Sequence, residues 1–274
     1  LGKTLDTKAL SFWIHDGSYL ALLSAAGATF RSQIRKAVRV ADSVVYPSRE
    51  MRVAQFNALF PSHDTHDGGR DVLSKAMVVP HGVPRYFDDV NDGERRDGWL
   101  LWPVSPERGL AELLRMLPSL RRAVKSRGGD FRVVVCHLRG GYHENTKLEL
   151  PDDVVFAGML PPKRLAAMLR SCALFVFPSA VPEAFSLATW ECALHGVIPV
   201  VYGLGALAAL GRVGCPCVAP GDAAALEAAA VSLLASPAAA AATRRDVVAR
   251  ARAAARDWAG TARFWEATAL RAPS

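Results

Sequence analysis

One run of the chain, SCALFVFPSAVPEAFSLATWECALHGVIPVVYGLG over Ser171–Gly205, constrains the fold more than any other. Ala173–Phe177 is a short apolar stretch of strand composition, and Pro178-Ser179 ends it. After a loop carrying Ala180 and Val181, Pro182 is expected to open a helix. Gly196 stops that helix, and Val197–Tyr202 reads as the next buried strand. Glu183 and Glu191 are eight positions apart. That spacing puts one acid at the helix mouth and the other about two turns further in. A carboxylate at such a mouth is a candidate for gripping hydroxyls. The free N–H groups around Phe185 and Ser186 are candidates for gripping phosphate. Two acids at this spacing are also what an ordinary solvated helix carries.

The rest of the chain repeats the same rhythm. Ser11–Ile14 is a short apolar strand that runs into His15-Asp16-Gly17, and Tyr19–Val40 is helical in pattern. Ser43–Tyr46 reads as a strand, Arg49–Phe60 as a helix, Pro61–Arg70 as a loop and Ala76–Val79 as a strand. The turn Pro80-His81-Gly82-Val83-Pro84 follows, and Arg85–Gly98 is charged and apolar-poor, the expected domain boundary. Beyond it come strand Trp99–Trp102, loop Pro103–Gly109, helix Leu110–Lys125 and strand Phe131–Cys136. A loop His137–Lys147, strand Val154–Phe156 and helix Pro162–Arg170 lead into the central run. The Ala-rich stretch Ala223–Ala255 is helical by propensity. Strands alternating with helices in this way imply an α/β fold with a parallel, doubly wound sheet.

Composition narrows the function. The 274 residues are 51% apolar, yet no long uncharged apolar stretch appears, so a soluble chain is expected. The start, LGKTLDTKAL, lacks the pattern of a secretory leader. Five cysteines without a Cys-x-x-Cys pair argue against a disulfide scaffold and for a reducing, cytoplasmic setting; Cys136, Cys172 and Cys192 read as core. No spacing suited to a metal appears. The formal charge of +7 admits an anionic partner. Much of it lies in Arg244, Arg245, Arg250, Arg252, Arg256 and Arg263, at helical spacing among alanines and without interleaved aromatics. That pattern fits a solvated helix face better than a nucleic-acid groove; a peripheral membrane contact stays open.

The frame PSAVPEAFSLATWECALHGVIPVV resembles the C-terminal domain of retaining glycosyltransferases of the GT-B fold. Within them it is similar to the large family 4, which includes sucrose synthase and bacterial mannosyltransferases. That family carries two Glu separated by seven residues in a pattern close to PS-x(3)-E-G-F-G-x(4)-E-A-x-A-x-G-x-P-V-V. Its N-terminal domain ends in a strand with a terminal His, an Ala-Asp-x-Val-Val-x-x-Ser segment and a Pro-Asn/His-Gly-Val turn. Here FWIHDG, ADSVVYPS and VVPHGVP stand in that order. The resemblance covers Phe12 to about Trp265.

The resemblance implies Rossmann-like, doubly wound sheets and transfer of a sugar from a nucleoside diphosphate sugar to an acceptor hydroxyl, with retention and without a bound cofactor or metal. Glu191 corresponds to the Glu that holds the ribose hydroxyls, and Glu183 to the one near the transferred sugar. Arg108 corresponds to a cation on the diphosphate, and His15 to a His close to the donor sugar. Phe185, Ser186 and Leu187 would offer backbone N–H groups, Met159 and Leu160 would flank the base, and Gly140 with Gly141 would turn over the phosphates. Two departures stand out: Ala184 replaces a Gly, and Trp102-Pro103 replace a Gly-Arg that supplies a second diphosphate cation. Loss of that cation is expected to weaken donor binding by about 1–3 kcal/mol.

The expected domains are residues 1–92, an incomplete acceptor-side α/β segment, and 93–274, the nucleotide-sugar domain with its C-terminal helices. A full N-terminal domain needs roughly 150 residues, and the family's N-terminal Gly-rich loop has no counterpart here. The acceptor would be a glycan, a lipid or a small molecule. A non-catalytic nucleotide-binding remnant of the same fold is the alternative, with an epimerase or phosphorylase behind it.

Overall fold

The computed structural model describes residues 11–13, 28–60, 69–88, 95–136 and 151–268. His15, Gly140 and Gly141 lie outside the described residues. Every strand pairing among the described residues is parallel, as strands linked by helical crossovers must be. By contacts the chain divides into two units. One holds residues 1–82, 183–185 and 256–274, and the other 83–182 and 186–255.

In the first unit, β1 (Ser11–Trp13), α1 (Ala28–Val40), β2 (Ser43–Tyr46), α2 (Arg49–Leu59), α3 (Gly69–Ser74) and β3 (Ala76–Val78) succeed one another. The strands align as β1-β2-β3, with Val44 opposite both Phe12 and Ala76. Central β2 is buried along its whole length, and Val44 and Val45 give it an apolar side chain on each face. Ser48 caps α2 by accepting from the Met51 N–H at 3.1 Å. Val38, Val44, Tyr46, Met51, Leu59 and Val72 make the core, and Ala184 joins it from far along the chain.

The second unit contains β4 (Arg96–Trp102), a 3₁₀ turn (Pro106–Arg108), α4 (Leu110–Lys125), β5 (Arg132–Val135), β6 (Val154–Phe156) and α5 (Pro162–Ser171). It continues with β7 (Cys172–Phe177), α6 (Leu187–Leu194), β8 (Ile198–Tyr202), a 3₁₀ stretch (Ala206–Val213) and β9 (Cys217–Val218). Helices α7 (Ala223–Ala235) and α8 (Pro237–Ala254) complete it. The sheet order is β6-β5-β4-β7-β8-β9. Because β4 connects to β5 on one side while β7 connects to β8 on the other, right-handed crossovers put α4 on one face and α5 and α6 on the opposite face. In agreement, α4 packs on α7 and α6 packs on α8. The strand order therefore reverses between β4 and β7, and a crevice opens outside their carboxyl ends. Trp102, Phe175 and Phe177 fill the sheet there: the indole meets both rings edge-on, at 5.7 and 5.9 Å.

Several expected elements differ in extent. Strand β4 begins at Arg96, before the apolar run, because Arg96 pairs with Cys172 of β7 and lays its guanidinium over Trp99 at 4.5 Å. The Ala-rich stretch is two helices: Ser236 ends α7 and caps α8, its side chain accepting from the Ala239 N–H, with Pro237 at the first helical position. A last helix, α9 (Trp258–Thr268), groups by contacts with the first unit, whereas the expected second domain runs from residue 93 to residue 274. Phe264 and Trp265 pack against Val45 and Val79, and a Cβ on Gly82 would lie 2.4 Å from the Trp258 backbone. Residues 83–88 pack with the second unit, so the chain divides ahead of the charged stretch expected to separate the domains. The five cysteines are free, and four of them are buried.

Helix α6 also starts later than expected. Pro182 does not open it; Ser186 stands at its N-cap, with φ 64° and ψ 75° and no side-chain cap bond. Ser186 is the one non-glycine residue with positive φ among the described residues. It occupies the position of the second Gly in the family frame, which explains the conformation: the turn needs a left-handed residue. Glu183 consequently precedes the helix in extended chain, and Glu191 sits in its second turn. The other end of α6 is held by two buried guanidinium groups. Arg95 donates to the His195 carbonyl at 3.1 Å and also to the carbonyls of Leu169 and Cys172. Arg244, only 2% exposed, donates to the Gly196 carbonyl at 3.0 Å and stands 3.8 Å from Asp97.

Two outcomes follow from these ends of α6. Ser186→Gly is expected to stabilise the chain by about 0.5–1 kcal/mol, because glycine adopts the left-handed turn without steric cost; a thermal midpoint that does not rise contradicts it. Arg244→Ala is expected to lower the unfolding free energy by about 2–4 kcal/mol, since it strands a buried carbonyl and removes a helix-terminal cation. Urea titration measures that loss directly.

Candidate functional site

The crevice at the strand reversal is built from the loops that leave β4, β7 and β8. After β4 the chain makes the Pro106–Arg108 turn and enters α4 at Gly109, whose φ is 117°. A Cβ at Gly109 would come within 2.7 Å of the Pro178 carbonyl oxygen, so only glycine lets these two loops approach so closely. Between them lies a cavity of about 400 Å³, lined by Arg108, Glu112, Arg115, Pro178, Val181 and Tyr202 among others. Glu112 pairs with Arg115. Burial, then the charges of Glu112 and Asp222, raise the Tyr202 phenol, which keeps it a neutral hydroxyl at the rim. Arg108 is half-buried on this wall. A cation held on a loop over such a cavity suits an anionic ligand.

Helix α6 carries the second group. Glu191 is half-buried, and its Oε1 accepts from the Tyr86 hydroxyl at 3.2 Å. Burial raises the Glu191 carboxyl above the usual carboxylate value, while the Tyr86 hydrogen bond pulls it back. Tyr86 is itself pushed up to about 12 by burial and by the Glu191 charge, so its hydroxyl stays protonated and donates. One turn on, His195 Nδ1 lies 2.8 Å from the Glu191 carbonyl oxygen, and Nε2 accepts from the Tyr86 N–H at 3.0 Å. This assigns the Nδ1–H tautomer, a neutral imidazole with both nitrogens used. Burial, then the charges of Arg252, Arg170 and Arg85, depress its proton affinity accordingly.

The remaining candidates divide between the two units. Arg108 shares its cavity with Pro178, Ala180 and Val181 from the loop before α6, while Glu191 is not on that wall. Glu183, Ala184 and Phe185 belong by contacts to the first unit. There the Ala184 methyl is buried in the core and the Phe185 ring meets His81 edge-on at 5.3 Å. Ala184 is thus a packing residue where the family frame has Gly. Leu187 exposes its side chain at the start of α6. Met159 is 66% exposed, with Leu160 beside it, in the loop that follows β6 through the left-handed Gly158. Among the described residues no group of three His, Cys, Asp or Glu is placed to hold a metal, and no single helix is long and apolar enough to cross a membrane.

Neither Tyr86 nor His195 belongs to a motif of the sequence. His195 carried a signal, because it follows Glu191 at i+4 and so shares its helix face. Tyr86 lies in the charged, apolar-poor stretch, and nothing local marks it as the partner of a residue 105 positions away.

The family model described as glycosyl transferases group 1 matches residues 98–236, about half of the chain. No curated protein matches the chain. Among solved structures, Anabaena Alr3699/HepE in complex with UDP-glucose aligns with a TM-score of 0.68 at 19% identity, covering 96% of this chain and 72% of that one. Sucrose-phosphate synthase from Thermosynechococcus elongatus aligns at 0.63 and 19% identity, covering 95% of this chain. The chain spans 65% of the length of that synthase. The α,α-trehalose 6-phosphate synthase of Burkholderia multivorans gives 0.65 at 16% identity, covering 94% of this chain and 65% of that one. At such identities the likeness concerns the fold, which is the α/β GT-B arrangement of parallel sheets. From the family match over the sheet, its switch point and α6, the chain belongs to the glycosyl transferases group 1 family.

Proposed function

We propose that the chain takes a sugar from a nucleoside diphosphate sugar and transfers it, with retention, to the hydroxyl of a glycan, lipid or small-molecule acceptor. The single observation carrying this reading is Glu191: a half-buried carboxylate with one oxygen bonded to Tyr86, on the helix that follows the switch-point strand. A carboxylate accepts from two adjacent ribose hydroxyls in one plane. Arg108 would face the diphosphate and offset the charge that develops as the sugar leaves. Phe185, Ser186 and Leu187 would present N–H groups to phosphate or sugar, Glu183 would lie toward the transferred sugar, and Met159 and Leu160 would flank the base. His15 and Gly140, outside the described residues, keep the roles that the resemblance implies. The transfer breaks the anomeric C–O bond to phosphate and forms one to the acceptor oxygen on the same face. The acceptor proton passes to the leaving phosphate. Positioning and diphosphate stabilisation supply the rate, and no protein nucleophile is required. Because HepE is described with UDP-glucose, a UDP-sugar is the first donor to test. A cytoplasmic setting with peripheral membrane contact is the accompanying proposal.

A second reading, nucleotide binding without turnover, draws on Trp102-Pro103. The Trp102 side chain is fully buried against Phe175 and Phe177, so the end of β4 carries an indole and a proline where the family frame has a cation.

Calorimetry with UDP, GDP and ADP, followed by diphosphate release from the matching sugars, separates the two readings. Transfer predicts binding and turnover with retained anomeric configuration by NMR; binding alone supports the second reading, and no binding sinks both. Arg108→Ala is expected to weaken the best diphosphate by about tenfold, the size of one charged hydrogen bond. The Glu191 pKa is raised, so burial favours its neutral form. Nucleotide affinity should therefore be full above that pKa and fall with the pH through a window lying above the ordinary carboxylate value. The ratio of wild-type to Glu191→Gln affinity isolates this step from titration of the phosphate. A ratio that does not change with pH contradicts it.

A further inference from the structure

Tyr86 is fixed to α6 at two points. Its backbone N–H donates to His195 Nε2 at 3.0 Å, and its hydroxyl donates to Glu191 Oε1 at 3.2 Å. The tyrosine ring lies 5.3 Å from the imidazole, whose far nitrogen is occupied by the Glu191 carbonyl oxygen. Phe87 closes the other side of that imidazole at 4.6 Å and is itself covered by Arg170 at 3.9 Å. The helix cannot turn to follow the ligand, because Arg95 and Arg244 hold the His195 and Gly196 carbonyls at its end. With ring, backbone and helix all set, the hydroxyl fixes one oxygen of the carboxylate. Glu191 Oε2 has no hydrogen-bond partner among the described residues.

We infer that Tyr86 is a positioning residue for Glu191, holding Oε1 so that Oε2 and the carboxylate plane are preset for a pair of vicinal hydroxyls on the nucleoside ribose. The inference rests on the donor reading above and adds a residue to it. A glutamate side chain free to change rotamer would lose that freedom on binding. Tyr86 meets this cost during folding, before the nucleotide arrives. The arrangement selects for ribose: a sugar without the 2′ and 3′ hydroxyls cannot use the preset oxygen.

Tyr86→Phe removes only the hydroxyl. It keeps the ring against His195 and the backbone bond to Nε2, and its thermal unfolding should match that of the parent. The test uses whichever of UDP, GDP and ADP binds best, together with the 2′,3′-dideoxy form of the same diphosphate, in calorimetric titrations of the whole chain. Wild type is expected to prefer the ribonucleotide. Tyr86→Phe should bind that ribonucleotide about five- to tenfold more weakly, a hydrogen bond's share of affinity, and leave the dideoxy affinity unchanged. Equal weakening of both forms, or of neither, overturns the role of Tyr86 while a wild-type preference for ribose leaves the donor reading standing. If wild type binds the two forms equally, Glu191 does not hold the ribose, and the inference and that part of the donor reading fall together. Arg108→Ala, which should weaken both forms alike, marks the signature of a diphosphate contact.

Discussion

Helix α6 is too short to hold its shape alone: eight residues lie below the length at which a helix persists in water. Its position depends on what grips its ends and on the strands beside it. At the C-terminal end, Arg95 and Arg244 donate to successive carbonyls, a cationic arrangement that favours the helix dipole and satisfies acceptors with no intrahelical partner. At the N-terminal end the chain turns through the left-handed Ser186. Between those ends lie buried Thr189, Trp190, Cys192, Ala193 and Leu194, with Glu191 facing the other way toward Tyr86. The carboxylate is therefore carried by a rigid element, although the segment that touches it is irregular.

Much of this architecture was legible in the sequence. Ser43–Tyr46, Leu110–Lys125 and Val154–Phe156 form the elements that their apolar patterns indicate. Periodicity reports burial, and the strands buried along their length, such as β7 and β8, gave strong signals. Errors gathered where local chemistry and tertiary pairing disagree. Pro182 has the residue type of a helix start, but the chain bends through Ala184 and Phe185, with the Ala184 methyl in a distant core, before α6 begins. Arg96 and Asp97 look like loop residues, yet Arg96 pairs with β7 and covers Trp99. Ser236-Pro237, by contrast, is a plain cap signature that uniform alanine propensity obscured.

The candidate site was legible in part for the same reason. Glu191 and Arg108 belong to short motifs whose spacing survives in one sequence. Their partners do not. Arg95, Tyr86 and Arg244 reach α6 across long stretches of chain, and no local rule connects them. The two glycine replacements show how this chain accommodates a borrowed frame. Ala184 uses its methyl to fill a core, and Ser186 accepts a left-handed backbone that glycine would adopt freely.

The threading of the chain carries a consequence for how such a molecule can be rebuilt. Residues 183–185 and 256–274 group with residues 1–82, so the polypeptide passes between its two units four times. Neither unit is a contiguous piece. A chimera joined at a single point would strip Phe264 and Trp265 from Val45 and Val79, and would take Ala184 from the core around Tyr46. Exchange of either unit between relatives must therefore carry the tail helix and the short insert at 183–185 along with residues 1–82, because a single crossover transfers neither unit whole.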